Sequence, residues 1–381
     1  MSEWKEVKLE DILIIYDKKR RPLSSIQRSS FQGQYRYYGA QGIIDYIADY
    51  IFDGEYMLIA EDGENLNSRT QPIAQIVNGK FWVNNHAHIV RTNEKANMYL
   101  VMLILNNMNI SSYVTGAAQP KLNQDNLKRI SIYLPDKNEQ DIIAGILSSL
   151  DEKIETNNKL NEKLEEMAQA LFKSWFVDFE PFKNQPFHKT ELGMIPEGWE
   201  VGSLSDIATI TMGQSPSGTS YNENGEGIIF YQGRTEFGFR FPSVRLYTTA
   251  PSRFAEVGST LMSVRAPVGD INMALSRCCI GRGVASIKSN SECDSYIYYL
   301  MKSLKKRFDV YNGEGTVFGS VGRDSLRGMC VTIPPQSVIS DFEMIVSKFD
   351  DRIKTNELES QRLASLRDTL LPRLMSGEIK I

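Results

Sequence analysis

Apolar and polar positions alternate in two textures along the chain. Runs of three to five residues rich in β-branched and aromatic side chains, bounded by Gly, Pro, Asn or Asp, predict strands. They include Tyr56–Ala60, Phe81–Val83, Ile130–Leu134, Ile228–Tyr231, Thr260–Val264, Gly283–Ile287 and Met329–Ile333. Met98–Asn106 and Ser295–Phe308 have helical character and fall at equivalent places among these runs. The second texture is a 4-3 alternation, the signature of a coiled-coil seam. It runs through Ile143, Leu147, Leu150, Ile154, Asn157, Asn161, Leu164, Ala168 and Leu171, and again through Phe342, Val346, Phe349, Ile353, Asn356, Ser360, Leu363, Arg367 and Leu370. A helix of 30 to 35 residues is expected in each case, roughly 45–52 Å long. Pro135 and Pro334-Pro335 precede the two helices, and Pro372 should end or kink the second.

Both seams are broken by Asn at the same place. A buried Asn costs stability but favours one register, so Asn157 and Asn356 are candidate register pins; the alternative is that they face solvent at a slight kink.

The two textures repeat. Trp4-x-x-x-x-Leu9-x-Asp11-Ile12 returns as Trp199-x-x-x-x-Leu204-x-Asp206-Ile207. Gly116, Asp125, Leu127, Pro135, Ile146, Asp151, Asn157 and Leu164 return 199 positions later as Gly315, Asp324, Leu326, Pro334, Ile345, Asp350, Asn356 and Leu363. Between these anchors the halves differ almost completely. The expected organisation is an α+β block over residues 1–137, a helix over 138–180, a second α+β block over 181–336 and a second helix over 337–381. The Pro- and Gly-containing stretch 178–198 reads as a linker into the second block.

Composition narrows the function. The chain has 381 residues, 41% of them hydrophobic, which is ample for buried cores and for two or three domains. No apolar run approaches the roughly 20 residues of a membrane span. Met1-Ser-Glu-Trp-Lys does not open a secretory signal, so a cytoplasmic protein with no membrane partner is expected. Cys278, Cys279, Cys293 and Cys330 form no C-x-x-C pair and read as reduced thiols. A net charge of −4 argues against a polyanion partner until it is divided along the chain. Residues 136–180 alone carry eleven acidic against five basic side chains, leaving the blocks slightly basic and free to present a basic face.

Motifs for catalysis are missing. Gly313–Gly322 is glycine-rich but has no lysine placed as a phosphate-binding loop requires. His86 and His88 lack further ligands and read as structural. No serine lies in a G-x-S-x-G elbow and no cysteine has a nearby histidine. The acidic pairs Asp151-Glu152 and Asp350-Asp351 read as solvated helix faces.

What remains resembles binding loops. Tyr37-Tyr38-Gly39-Ala40-Gln41-Gly42 and Tyr231-Gln232-Gly233-Arg234 hold comparable places and combine aromatics, amides and glycines, the second adding a guanidinium. Gln and Asn offer paired hydrogen bonds to adenine and Arg to guanine, while Lys and Tyr hold phosphates. On this chemistry the candidate DNA contacts are Arg20, Arg21, Tyr37, Gln41, Asn84, Asn85, Gln119, Lys121 and Asn123 in the first block. In the second they are Gln232, Arg234, Arg265 and Arg323.

These features in this order, occurring twice with divergent interiors, resemble the DNA-specificity subunits of Type I restriction-modification systems over nearly the whole chain. The residues that carry the likeness are the Trp4 and Trp199 motifs, Tyr37–Gly42, Phe81–His88, Gly116–Leu134, Arg265-Ala-Pro-Val-Gly269, Cys279-Ile-Gly-Arg-Gly283 and the paired helices. Gln119 and Pro120 are replaced by Phe318 and Gly319 in the second closing loop, a departure from a shared contact there.

The resemblance implies two α+β target recognition domains, each reading half of a bipartite asymmetric target in double-stranded DNA. They would be separated by two long helices forming an antiparallel coiled coil with a pseudo-twofold internal repeat. The helices would hold the half-site readers about one DNA turn, roughly 34 Å, apart and dock two modification (methyltransferase) subunits, which restriction (translocase/endonuclease) subunits would join. The chain itself would have no catalytic residue, metal or cofactor, with S-adenosylmethionine, ATP and magnesium held by partner subunits. The competing reading is a coiled-coil adaptor with two β-rich ligand-binding domains, which predicts no salt-dependent binding to DNA.

Overall fold

The same pair of sheets is built twice. The computed structural model describes residues 3–116, 119–312, 319–375, 378 and 379 and divides into two units, residues 1–154 with 362–381, and residues 155–361. In the first unit Leu13–Ile15, Ala87–Thr92, Tyr56–Ala60 and Ala74–Val77 make an antiparallel sheet in that order. Its counterpart in the second is Ala208–Met212, Val284–Ser289, Thr260–Ser263 and Ile271–Met273. A second sheet is mixed in both. Gln32–Gly39 runs parallel to Lys80–Val83, with Tyr38 opposite Val83; Ile228–Tyr231 runs parallel to Cys278–Ile280, with Tyr231 opposite Ile280. One helix follows in each block, Met98–Asn107 and Asp294–Ser303.

The repeated opening and closing motifs explain each other. Lys5–Lys8 pairs antiparallel with Ser131–Leu134, and Glu200–Ser203 pairs in the same way with Cys330–Ile333. Each ladder brings the end of a block back to its beginning and hands the chain to a long helix. The stretch 178–198 is more than a linker: Phe187–Thr190 and Gly193–Pro196 form a hairpin, and Phe179 and Phe182 pack edge-on to Trp199. Gly315 and Phe318 lie outside the described residues.

Both long helices have 40 residues, Lys137–Phe176 and Gln336–Met375. They exceed the expected length because the central helix continues through Phe172 and Phe176, whose rings bury against Tyr296 and Phe342. The terminal helix runs three residues past Pro372, which lies in its last turn. Within the second unit the helices pair antiparallel, Phe172 meeting Phe342 and Asn157 meeting Asn356. Val346 and Ile353 are buried there, and Phe349 and Leu164 are partly buried. In the first unit Ile143 and Leu147 are buried and Leu150 partly buried in one core with Leu371 and Leu374; Ile154 and Leu363 are half-buried.

The asparagines do not face solvent: Asn157 and Asn356 are 1% and 0% exposed. The Asn157 amide donates to Glu359 Oε2 at 2.8 Å and to Ser360 Oγ at 3.3 Å, and Asn356 donates to Asn161 Oδ1 at 2.7 Å. A one-turn slip would leave these amides buried without partners, each costing about 1–3 kcal/mol.

Carboxylates of the helices fasten each block to its helix pair, so Asp151 and Asp350 are not the solvated charges their sequence suggested. In the first unit Asp151 accepts from Arg367 at 2.5 Å and from the Tyr99 hydroxyl. In the second, the fully buried Arg240 reaches Glu165 of the central helix, Asp350 of the terminal helix and, at 2.6 Å, the Tyr299 hydroxyl. Its guanidinium carbon lies 4.2 Å from the centre of the Tyr298 ring, a cation–π contact. Burial drives both carboxyls upward, but Arg240 and Lys302 together hold Glu165 below the usual range. Asp350, sharing one cation and facing Glu165, stays above it.

Glu357, beside this cluster, has a buried Oε1 without a hydrogen-bond partner, and burial raises its carboxyl from 4.5 to about 7. The folded state therefore keeps a proton that the unfolded chain releases, and stability falls as pH rises through that interval. Glu357→Gln should raise the melting temperature at pH 8 by roughly 2–4 °C, the size of about 1 kcal/mol in a unit of this length. At pH 4 the gain should vanish, as calorimetry at the two pH values would read.

Candidate nucleic-acid interface

The candidate contacts sort themselves by following three backbone hydrogen bonds that recur in both blocks. In the first, Asn84 N donates to Tyr38 O at 3.0 Å, Glu61 N to His86 O at 2.9 Å and Leu122 N to Glu61 O at 2.8 Å. In the second, Gly281 N donates to Tyr231 O at 2.8 Å, Val264 N to Gly283 O at 2.9 Å and Val321 N to Val264 O at 3.1 Å. Short bridges join Asp62 to Lys121 and Arg265 to Ser320. The same frame thus gathers the ends of neighbouring strands, and the side chains mounted on it correspond position by position. Gln41, Asp62, Asn85, His86 and Lys121 in the first block stand where the second has Arg234, Arg265, Arg282, Gly283 and Ser320.

The two frames differ in bulk at the facing turns. Gly39 ends the first block's strand and faces a turn with full side chains, Asn84-Asn85-His86. In the second block Gln232 follows the strand Ile228–Tyr231 and the turn is Gly281-Arg282-Gly283. A Cβ on Gly281 would come within 2.9 Å of Gln232 Cα, and one on Gly283 within 2.8 Å of Gln232 O. It is the close approach of the turn to the Gln232 backbone that keeps positions 281 and 283 glycine.

The second block's face surrounds a cavity of about 370 Å3 lined by Gln232, Arg234, Arg245, Arg265 and Arg282, among others. Arg234 is held by Asp270, and Arg245 donates to the buried Glu236 at 2.6 Å. Arg265 and Arg282 are exposed. Burial would raise the Asp270 carboxyl, but Lys305 and Arg234 hold it below the usual range. Arg323 is exposed, at the first position of the helix Arg323–Arg327.

The first block's face is mixed in charge. Gln41, Asn85, Gln119, Lys121 and Arg21 are exposed. His86 Nδ1 lies 2.7 Å and 2.9 Å from the two Asp62 carboxylate oxygens, and its side chain is 46% exposed. Other candidates belong to the frame itself. Tyr37 is fully buried, and its hydroxyl accepts from Leu23 N at 2.9 Å. Asn84 is buried and its side chain accepts from His86 N at 2.8 Å, shaping the turn. Asn123 caps the helix Gln124–Arg129 by accepting from Asn126 N at 2.8 Å.

Arg20 is also internal. It donates to Glu61 Oε2 at 2.6 Å and Ala87 O at 2.9 Å, and lies 3.4 Å from Asp17 Oδ2. Asp17 in turn lies 2.6 Å from His88 Nδ1, while His88 Nε2 reaches Leu122 O at 2.7 Å. Asp17, Glu61 and His88 have the composition of a metal site, but the Arg20 guanidinium already supplies the cation between the carboxylates. The cluster instead ties the strand ends to the closing loop. Burial would raise the Asp17 carboxyl, yet His88, the Ile89 amide and Arg20 hold it below the usual range.

Asp62, Arg245 and Arg282 were not singled out from the sequence. Arg282 sits inside the Cys279–Gly283 motif, and aligning the two turns after the equivalent strands Lys80–Val83 and Cys278–Ile280 would have marked it.

This duplicated frame with exchanged side chains defines a two-module recognition protein mounted on a helix pair. The chain belongs to the Type I restriction modification DNA specificity domain family, whose model matches residues 1–166 and 196–368. It is 35% identical, over 77% of its length and 71% of the relative's, to a Methanocaldococcus jannaschii protein described as the specificity subunit of type I restriction enzyme MjaX. It is 24% identical to the HindI specificity subunit of Haemophilus influenzae, over 86% of this chain and 84% of that one. The fold matches the crystal structure of a Type-I restriction-modification S subunit from M. genitalium with a TM-score of 0.66, covering 98% of this chain and 96% of the other at 16% identity.

Arg20→Ala would take the guanidinium from between Asp17 and Glu61 in a largely buried site, leaving Asp17 to His88 and the Ile89 amide and Glu61 to Lys121, and urea unfolding should show a loss of about 1–3 kcal/mol in the first unit. Because the Asp17 carboxyl is depressed by folding, its share of stability is full above the unfolded value near pH 4 and is lost as pH falls through the lower folded value. In Asp17→Asn, the decline of melting temperature with acid should be shallower.

Proposed function

We propose that residues 1–137 and 181–336 are target recognition domains, each reading one half of a bipartite, asymmetric sequence in duplex DNA, with residues 138–180 and 337–381 as the helical spacer. The observation that carries this reading is the recurrence of one backbone frame with different polar side chains on it. A scaffold fixed by main-chain hydrogen bonds leaves its outward positions free to specify, and unlike side chains read unlike bases. Gln41 and Asn85 carry the amide chemistry of adenine contacts, and Arg265 and Arg282 that of guanine or phosphate contacts. Lys121, Arg21, Gln119 and Arg323 are suited to the backbone.

The chain contributes selection and no chemistry of its own. S-adenosylmethionine, ATP and magnesium belong to its partners, two modification subunits and the restriction subunits that join them. Docking on the helices is supported by large apolar side chains left exposed there. Ile146 and Ile345, 199 positions apart, are 41% and 38% exposed, and Ile142 and Met344 add to them. Repeated helix faces suit identical partners. Among the described residues no helix is long and apolar enough to cross a membrane; a cytoplasmic role on DNA is part of this proposal.

Methylated adenines mapped genome-wide with and without the gene should reveal one bipartite motif that disappears with it. Exchanging residues 1–137 for the block of another family member should change one half of that motif and leave the other intact; change in both halves, or in neither, would refute the modular assignment. Affinity for duplex DNA should fall steeply between 50 and 200 mM salt, which the adaptor alternative does not predict.

A further inference from the structure

Four arginines line the second block's cavity, and their side chains are in different states. Arg234 and Arg245 each already face a carboxylate, Asp270 and Glu236. Arg265 and Arg282 are exposed and have no side-chain hydrogen bond or ion pair among the described residues. Their backbones, by contrast, are pinned. Arg282 N donates to Ser215 Oγ at 3.2 Å, and its flanking Gly281 and Gly283 pack so closely on Gln232 that neither tolerates a Cβ. Arg265 is bridged to Ser320, and the next amide, Ala266 N, donates to Gly319 O at 3.0 Å.

A fixed base with a free guanidinium is the arrangement that favours base reading over general attraction. The planar fork matches the N7 and O6 acceptors of guanine in the major groove, and a rooted side chain loses less entropy on reaching them. A guanidinium already on a carboxylate must first give up that partner. From these states we infer that Arg282 and Arg265 are the specificity-determining residues of the second half-site and that each reads a guanine there, while Arg234 and Arg245 shape the cavity and set no base. The inference rests on the proposal that this block contacts DNA.

The first block has no equivalent. Asp62 stands at the Arg265 position and is occupied by His86, and Asn85 stands at the Arg282 position. The two half-sites should therefore differ in kind, with the guanine requirement at these positions confined to one.

The test uses the chain assembled with its modification subunits and a pool of randomised duplex DNA, selected by binding and sequenced. Wild type should return a bipartite consensus. Arg282→Ala and Arg265→Ala should each reduce preference for guanine at one position of a single half by about tenfold or more, leaving the other half unchanged. Arg282→Lys keeps the charge but not the fork, so it should relax the same position while largely retaining the salt dependence of binding.

If wild type selects no consensus, the proposed function fails and the inference falls with it. If a consensus is selected but the alanine variants weaken binding uniformly without relaxing any base, the two arginines hold phosphates and the guanine assignment is wrong. It is equally wrong if Arg282→Lys preserves the preference for guanine. Loss of preference in both halves would refute the confinement to one. Native circular dichroism and helix melting of each variant complex separate these outcomes from misfolding, and an unfolded alanine variant leaves the lysine variant to decide.

Discussion

Everything outward in this protein depends on a ladder at the base of each block. Ser131–Leu134 must find Lys5–Lys8, and Cys330–Ile333 must find Glu200–Ser203, before either long helix can leave its block in a defined direction. These are long loop closures, and four residue pairs in each cannot offset the entropy of more than a hundred intervening residues alone. The sheets and the helix Met98–Asn107 or Asp294–Ser303 supply the remainder by burying Leu100, Val101 and Ile104 in one unit and Tyr296, Ile297 and Leu300 in the other. The repeated motifs of the sequence are therefore the parts that fix geometry, and their repetition reflects a requirement met twice.

Charge does two opposed jobs in the molecule. Inside, Arg240 with Glu165 and Asp350, and Arg20 with Asp17 and Glu61, are enclosed and matched, each guanidinium serving two carboxylates at once. Outside, the arginines of the second block's cavity are partly unmatched. Composition alone cannot separate the two roles, since a buried and a reading arginine are the same letter. Arg20 lies in the most basic run of the first block, Lys18-Lys19-Arg20-Arg21, and is nevertheless a core side chain, while Arg282 stands alone between glycines and is exposed.

The fold was legible wherever periodicity or repetition carried it. Tyr56–Ala60 and Ile228–Tyr231 are strands at the residues expected, the two seams pair, and the interrupting asparagines are buried. Less legible was anything decided by tertiary partners. Asp350 reads as one more acidic helix residue until Arg240, 110 positions away, is placed against it. Tyr37 and Asn84 have the chemistry of nucleic-acid contacts, but both faces of their sheet are covered: Tyr37 packs with Ile47 and Trp82 while its neighbour Tyr38 packs with Phe52 and Phe81, and the Asn84 side chain is spent on the His86 amide. Asp62 was silent in sequence for the converse reason: its position matters through a frame whose hydrogen bonds are all main-chain and leave no mark on residue identity.

The crowding of the Gly281-Arg282-Gly283 turn against the Gln232 backbone limits how such a protein can acquire a new preference. A histidine at position 283, copying His86, would drive its Cβ to 2.8 Å from the Gln232 carbonyl oxygen, a backbone atom that no substitution at position 232 removes. A single change borrowed from the first half is thus sterically blocked at this turn, whereas an intact segment brings its own backbone path with it. Exchange of a whole segment, backbone path included, is the route to a new preference that the packing at this turn leaves open.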